Sequence, residues 1–407
     1  QYVTEDHKWW KESYGNPSSP YSEYIVYNDK ANLQPESIIF DIKELPAYNG
    51  IVKKVATVNL HSPKVQEYNY NLFKYWMDPN GDGNFEDGVD GFRLDHCMDD
   101  LDWKKKFTNL FDSVWRPLIT KLKQVNPDII FMAEQAEWDS WGMEYYTKAG
   151  VERVFAFRHP GAILSMNKKL ISAVADSTFI MTPPGKTQII FIENHDTERS
   201  ATAIVHQAND RLMPGPALNL LLGGTPAIYY GQEIGMEGRG GFNAFGNNDG
   251  NDIPRREAFE WYAMDTGKGL AVWYKNSGPW WDKRNLQPND GISLEEEKKT
   301  EPSSLWDFYQ KMIALRKEYP VLTDGKYFTL KNNDDKLFTF LRYNGKEAMV
   351  IAVDLSGTTH EATIDFSDSP VKPKSVDGLF RTEKSTLNGS SMNILIPGYG
   401  VSVWMLN

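Results

Sequence analysis

Behind Ser62 and Pro63, apolar side chains recur at helical spacing: Val65, Tyr68, Leu72, then Tyr75 or Trp76. Ser and Pro suit the cap and first turn of a helix, so the pattern predicts one from about residue 63 to 77. Beyond it the period switches repeatedly. "VDGFRLD" (89–95), "DIIFMAE" (128–134), "VERVFAF", "TQIIFIENHD" (187–196) and "TPAIYYGQEIG" (225–235) read as five buried strands, each ending in polar or charged residues. "WKKKFTNLFDSVWRPLITKLKQVN" (103–126), with a break or kink expected at Pro117, "WGMEYYTKAG" and "RLMPGPALNLLLGG" read as helices or helical turns between them. "SSLWDFYQKMIALRKEYP" (303–320) closes the series as an amphipathic helix. Strands alternating with helices predict a parallel α/β sheet.

The two ends of the chain differ from this middle. After Pro320 the pattern alternates with period two around "NNDD" and "YNG" turns, which predicts an antiparallel β domain over 321–407. Residues 1–56 read as short strands and loops, with aromatic-rich pieces such as "YSEYIVYN" and "ESIIFDI".

Composition narrows the function classes. With 407 residues and 41% hydrophobic content the chain can bury a large core and carry an appendage. Its net charge of −11 argues against nucleic acid or an anionic membrane as the main partner. No apolar run approaches the ~18 residues of a membrane span. The opening "QYVTEDHKWW" has no basic region followed by an apolar one, so an export signal would lie outside these residues. One cysteine, Cys97, excludes an internal disulfide framework and reads as a small buried packer. The 13 Trp, 20 Tyr and 20 Phe suit both a core and stacking on sugar rings, so their number alone decides nothing.

The chemistry gathers at strand ends. Arg93 and Asp95 close one strand, Glu134 the next, and His195 with Asp196 a third. In a (β/α)8 barrel the C-terminal strand ends form the active-site face. Three carboxylates converging there point to glycoside hydrolysis: one attacks the anomeric carbon, one protonates the leaving oxygen, and a third steadies the developing positive charge. A separate stretch, "DPNGDGNFED", offers oxygen donors at alternate positions: Asp78, Asn80, Asp82, the Asn84 carbonyl, and Glu86 or Asp87. Hard oxygens on a Gly-containing loop suit Ca²⁺; the EF-hand pattern itself fails, because Val89 stands at its twelfth position.

These motifs resemble glycoside hydrolase family 13, the α-amylase family. "GFRLDHCMD", "FMAEQAEW" and "FIENHDTER" are similar, in order and spacing, to its second, third and fourth signature regions. "GTPAIYYGQEIGM" looks like its eighth strand and following loop, and "ATVNLHSPKVQ" like its extra signature. The resemblance implies a retaining enzyme, with Asp95 as nucleophile, Glu134 as acid/base and Asp196 as transition-state stabiliser. It also implies that Arg93 holds Asp95 ionised and that His195 binds the sugar at the cleavage point. The calcium loop resembles one seen in several members.

In fold, the resemblance implies a (β/α)8 barrel with an inserted domain after the third strand (1–56), a barrel portion (57–320) and a C-terminal β-sandwich (321–407). The first signature is absent from this chain, so the first three strands are expected before Gln1, in an N-terminal portion of the same protein. The implied activity is hydrolysis of α-1,4 bonds in starch or maltooligosaccharides by a secreted or periplasmic, calcium-binding enzyme. α-Glucosidase, cyclodextrin hydrolase and glucanotransferase activities stay open, as does a non-catalytic carbohydrate-binding or interaction relative. Met98 and Asp99 stand where starch-cutting members often carry Lys-His, contacting sugar on the leaving-group side. Trp138 and Trp141, and Trp9 and Trp10, are further candidate sugar platforms.

Overall fold

The computed structural model describes every residue except 39–41, 47–50, 205–208, 240–243, 247–248, 265, 282–287 and 383. The strand expected in "ESIIFDI" therefore falls partly outside the described residues. The chain forms two compact units. The first comprises Gln1–Phe155 with Pro183–Thr187 and Asn247–Gly250, the second Ala156–Thr182, Gln188–Gly246 and Asn251–Asn407.

In the first unit, β1 (Tyr2–Thr4), α1 (Lys8–Ser13), β2 (Glu44–Pro46) and β3 (Val52–Thr57) precede the predicted helix. The three strands make a small antiparallel sheet in the order β1-β3-β2. Helix α2 spans Pro63–Met77, as its cap and periodicity predict, but the buried face is not the expected one. Val65 and Met77 are buried and Phe73 packs beside them, whereas Tyr68, Leu72, Tyr75 and Trp76 are 40–54% exposed. The helix carries apolar residues on both faces, so spacing alone could not choose between them.

Strands β4 (Gly91–Leu94), β5 (Ile130–Ala133) and β6 (Arg153–Phe155) are parallel neighbours in that order. Between β4 and β5 the expected long helix is broken up. Asp102, Trp103, Lys105 and Asn109 have φ between 52° and 60°, and the helix starts with a π-type turn, Phe111–Trp115, before α3 (Arg116–Val125). Pro117 stands where the π-type turn gives way to α3: without an N–H it cannot continue the hydrogen-bond ladder of the preceding turn, and the expected break in the helix falls there. Leu94, Phe131, Ala133 and Val154 meet Phe111, Leu118 and Leu122 in one apolar core.

The second unit holds α4 (Arg158–Leu164), α5 (Lys168–Met181), β7 (Thr187–Ile190, in this unit from Gln188), α6 (Ser200–Ile204) and α7 (Pro214–Leu221). Strand β8 (Thr225–Pro226), α8 (Leu294–Lys299) and α9 (Leu305–Glu318) follow. β7 and β8 pair in parallel. The strand expected over 225–235 ends after two residues, because Pro226 offers no N–H and Gly231 and Gly235 turn the chain at φ of 84° and 74°.

The C-terminal part forms two antiparallel sheets from β9 (Lys326–Thr329), β10 (Lys331–Asn332), β11 (Leu337–Tyr343), β12 (Ala348–Asp354), β13 (His360–Asp365), β14 (Val376–Phe380), β15 (Ser385–Asn388), β16 (Ser391–Ile396) and β17 (Val401–Leu406). Their orders are β14-β17-β12-β11-β9 and β10-β13-β16-β15. Both faces of β12 are covered. Val350 and Ala352 face Ile364 and Ile394 of the other sheet, while Met349, Ile351 and Val353 join the core of α7 and α9. Buried Arg342 ties the sheet to the helical layer by donating from Nη1 to the Leu222 carbonyl at 2.6 Å.

Candidate active site

The register of β4 on β5 sets the first half of the site. Leu94 lies opposite Ala133, so the next residues, Asp95 and Glu134, leave neighbouring strands side by side. The close approach depends on Gly91, where a Cβ would stand 2.5 Å from the Ile130 carbonyl oxygen. The Glu134 N–H donates to the Leu94 carbonyl at 3.0 Å, carrying the parallel ladder to the catalytic candidates.

The two carboxyls live in different surroundings. The Asp95 side chain is 64% exposed and that of Glu134 only 6%. Arg93 bridges them, donating from one nitrogen to Asp95 Oδ1 and from Nη2 to Glu134 Oε2 at 2.6 Å. Donor atoms of Asp95, His96 and Glu134 all lie within 4.8 Å of one another. Burial pushes the Asp95 carboxyl up. Arg93 and His96, with side-chain hydrogen bonds from Glu134 and Arg93, outweigh it and hold the group below the usual carboxylate range. The pair thus combines an exposed anion with a buried carboxyl, both held by one guanidinium.

The residues after Asp95 turn inward. His96 has φ 44° and its N–H points at Glu134 Oε2, 3.4 Å away. Cys97 is fully buried, and burial pushes its thiol up, which makes it a packing residue. Met98 is 4% exposed. Asp99 accepts the Phe111 N–H through Oδ1 at 2.9 Å and so ties down the start of the π-type turn. Trp138, in the loop after β5, stands 43% exposed, whereas Trp9 and Trp10 are 7% and 5% exposed and pack in the core. Glu137, three residues past Glu134, accepts the Trp103 indole N–H at 3.0 Å.

His195 and Asp196 belong to the second unit. Past β7, Phe191 and Ile192 are buried, and Asn194 turns the chain by accepting the N–H groups of Asp196 and Thr197 at 2.9 and 3.0 Å. Asp196 Oδ2 lies 3.1 Å from His195 Nε2 and its Oδ1 2.9 Å from Arg256 Nη2. Arg256 also donates to the His195 carbonyl at 3.0 Å, and Arg255 to that of Asp196. Asp252 holds both arginines at 3.1 Å. Sequence reasoning missed this arginine pair; its one signal was "DIPRRE", two guanidinium groups directly after an acid and a proline. Glu193 is buried, paired with Arg199 at 2.9 Å, and structural.

The acidic loop forms a tight set of turns. Asp78 accepts the N–H groups of Gly81, Asp82 and Gly83 at 2.8–3.1 Å, and Asn80 and Asp82 accept those two residues further on. The donors of Asp78, Asn80, Asp82, Asn84 and Glu86 are all oxygen, which fits a hard cation. Among the described residues the carboxylates here do not form a trio within 4.8 Å, so a cation would draw on the neutral Asn80 and Asn84 oxygens as well.

Three comparisons bear on this site. A family model described as "Alpha amylase, catalytic domain" matches residues 2–325. "Alpha-amylase 3" of Dictyoglomus thermophilum is 27% identical, over 85% of this chain and 64% of its own length. "Probable oligo-1,6-glucosidase 3" of Bacillus subtilis is 24% identical, over 88% of this chain and 74% of its own. Among solved structures, an alpha-amylase from H. orenii superposes with a TM-score of 0.76 at 22% identity, covering 100% of this chain and 78% of that one. The chain thus spans just under two thirds of the length of the Dictyoglomus relative.

Proposed function

This chain belongs to the α-amylase family of glycoside hydrolases, and from that premise we propose that it cleaves α-1,4-glucosidic bonds of starch-derived glucans with retention at the anomeric carbon. The fold is that family's (β/α)8 barrel type, with a C-terminal antiparallel β domain. One observation carries the functional reading: Asp95 and Glu134 stand side by side with oxygens within 4.8 Å, one exposed and ionised, the other buried and bridged by Arg93. Retaining glycosidases need roughly 5–5.5 Å between the two carboxyl groups, too little for a water between them.

The chemistry follows from those positions. Asp95 Oδ forms a bond to the anomeric carbon as the glycosidic C–O bond breaks, and the Glu134 proton passes to the departing oxygen. Glu134, now a carboxylate, takes a proton from the water that releases the sugar from Asp95. Asp196, oriented by His195 and Arg256, suits hydroxyl recognition and stabilisation of the positive ring. A Ca²⁺ ion on the Asp78–Glu86 donors would pin the loop just ahead of β4; its contribution is structural. A secreted or periplasmic address suits a polymeric substrate.

A second reading keeps the carboxylates and changes the substrate. The oligo-1,6-glucosidase relative and the buried Met98, where many starch-cutting members carry lysine, favour an α-glucosidase acting on short or α-1,6-linked sugars. Cyclodextrin hydrolase and glucanotransferase are further variants. Products from maltoheptaose, isomaltotriose and cyclodextrin, followed in the full-length protein by NMR, separate them. Initial release of the β-anomer would sink the retaining mechanism. Inertness on every α-glucan would favour a binding role instead.

A further inference from the structure

The loop between β4 and α3 holds an unusual tryptophan. Trp103 is 50% exposed and has φ 53°, next to Asp102 at 52° and near Lys105 at 57°. A bulky side chain in the left-handed region is a genuine outlier, held only when surrounding bonds over-determine it, and such residues concentrate at binding sites. Here the bonds are visible. Trp103 N–H donates to the Asp100 carbonyl at 3.2 Å, Asp100 Oδ1 accepts the Lys105 N–H at 2.9 Å, and the Leu101 N–H donates to the Phe107 carbonyl at 2.8 Å. The indole N–H is fixed by Glu137 Oε1 at 3.0 Å. The loop after the nucleophile and the loop after the acid are thus joined through one indole.

That bond bounds where the ring can be. Glu137 is three residues past Glu134, which limits the chain between them to about 11 Å. The indole's polar edge is satisfied by protein while its apolar body stays open to solvent. An exposed tryptophan normally moves among rotamers; this one is pinned at its edge, so stacking on it costs less ordering.

We propose that Trp103, positioned by Glu137, is a sugar-stacking platform for a glucose unit next to the one being cleaved, and so helps set chain-length preference. The inference rests on the α-glucan reading above. It also places the specificity signal a few residues beyond Met98 and Asp99, whose side chains turn into the protein.

The test uses the full-length protein carrying Asp95→Asn, so that glucan binds without turning over. Calorimetric titration with maltoheptaose gives the reference Kd. Trp103→Ala should weaken it roughly tenfold, as truncating an aromatic anchor does elsewhere. Trp103→Phe should recover part of the loss, and Glu137→Ala, which leaves the ring but frees its edge, should weaken binding a few-fold. Circular dichroism and melting curves check that each variant folds. If Trp103→Ala and Glu137→Ala lower the melting temperature yet leave Kd within about twofold, the indole is only a staple between loops and the proposal is overturned. If the Asp95→Asn protein itself binds no glucan, the functional reading fails first and takes this inference with it; that result is distinct from the other.

Discussion

Arg93 sits between two carboxyls that must behave differently. As the proposed nucleophile Asp95 has to be ionised to attack, so the rate should be lost only when pH falls through its depressed range. Removing the guanidinium takes away the strongest opposition to burial and leaves only His96 and Glu134 to hold the carboxyl down. Arg93→Met should therefore move the acid limb of the kcat/KM profile to higher pH by about a unit or more. A limb that stays put would show that Arg93 does not set this ionisation. Asp95→Asn should cost at least about 10³-fold in kcat, with little change in melting temperature, because its side chain is 64% exposed. Glu134→Gln should be comparably slow on maltooligosaccharides, yet release a rapid first equivalent of fluoride from α-glucosyl fluoride, whose leaving group needs no proton, before stalling for want of the base. Absence of that burst would remove the acid role from Glu134.

Helix packing supplies a pH response of its own. His159 on α4 is 1% exposed, and its Nε2 lies 3.0 Å from Thr178 Oγ1 on α5. Thr178 donates its own hydrogen to the Val174 carbonyl at 2.7 Å, so it accepts from His159, which fixes the ring as the neutral Nε2–H form. Burial pushes the imidazole down to about 4. The unfolded chain titrates near 6.5, so it binds the extra proton first as pH falls. The stability held by neutral His159 is full above pH ~6.5 and lost progressively toward pH ~4, amounting to about 2 kcal/mol by pH 5. Urea unfolding at pH 7 and pH 5 measures it, and His159→Gln should remove that part of the difference.

Elements such as these were legible to different degrees. The ends of α2, the strands β4 and β5, and the three carboxylates at strand ends follow from period and polarity. The buried face of α2 does not, since apolar residues line both sides. Nor does the loop over 96–109, whose left-handed residues come from bonds made by Asp99 and Asp100 to residues further along. Arg255 and Arg256 reach Asp196 across some sixty positions of sequence, which no local pattern encodes.

For the molecule as a whole, cation binding is the condition most open to manipulation. If Ca²⁺ fills the Asp78–Glu86 loop, excess metal at about 100 times Kd stabilises the folded chain by about 2.7 kcal/mol. Chelation should lower the melting temperature by a few degrees, and Asp82→Ala, which removes a ligand and one turn hydrogen bond, should abolish the response. A melting curve indifferent to chelator and calcium alike would show that the loop is only a set of turns. The surface charge of −11 attracts cations generally, so magnesium at matched ionic strength is the necessary control.

The sealed environment of Cys97 has a practical use. It is the sole cysteine of the chain, 0% exposed, with its thiol pushed up and therefore protonated at neutral pH. Maleimide dyes should ignore the native protein and label it stoichiometrically in denaturant; rapid labelling of the native form would contradict its burial. A cysteine introduced anywhere on the surface thus becomes a single addressable handle for fluorescence or spin probes, with no background mutation needed. The native thiol, two residues from Asp95, becomes an internal clock: its labelling rate reports how often the strand end at Asp95 opens.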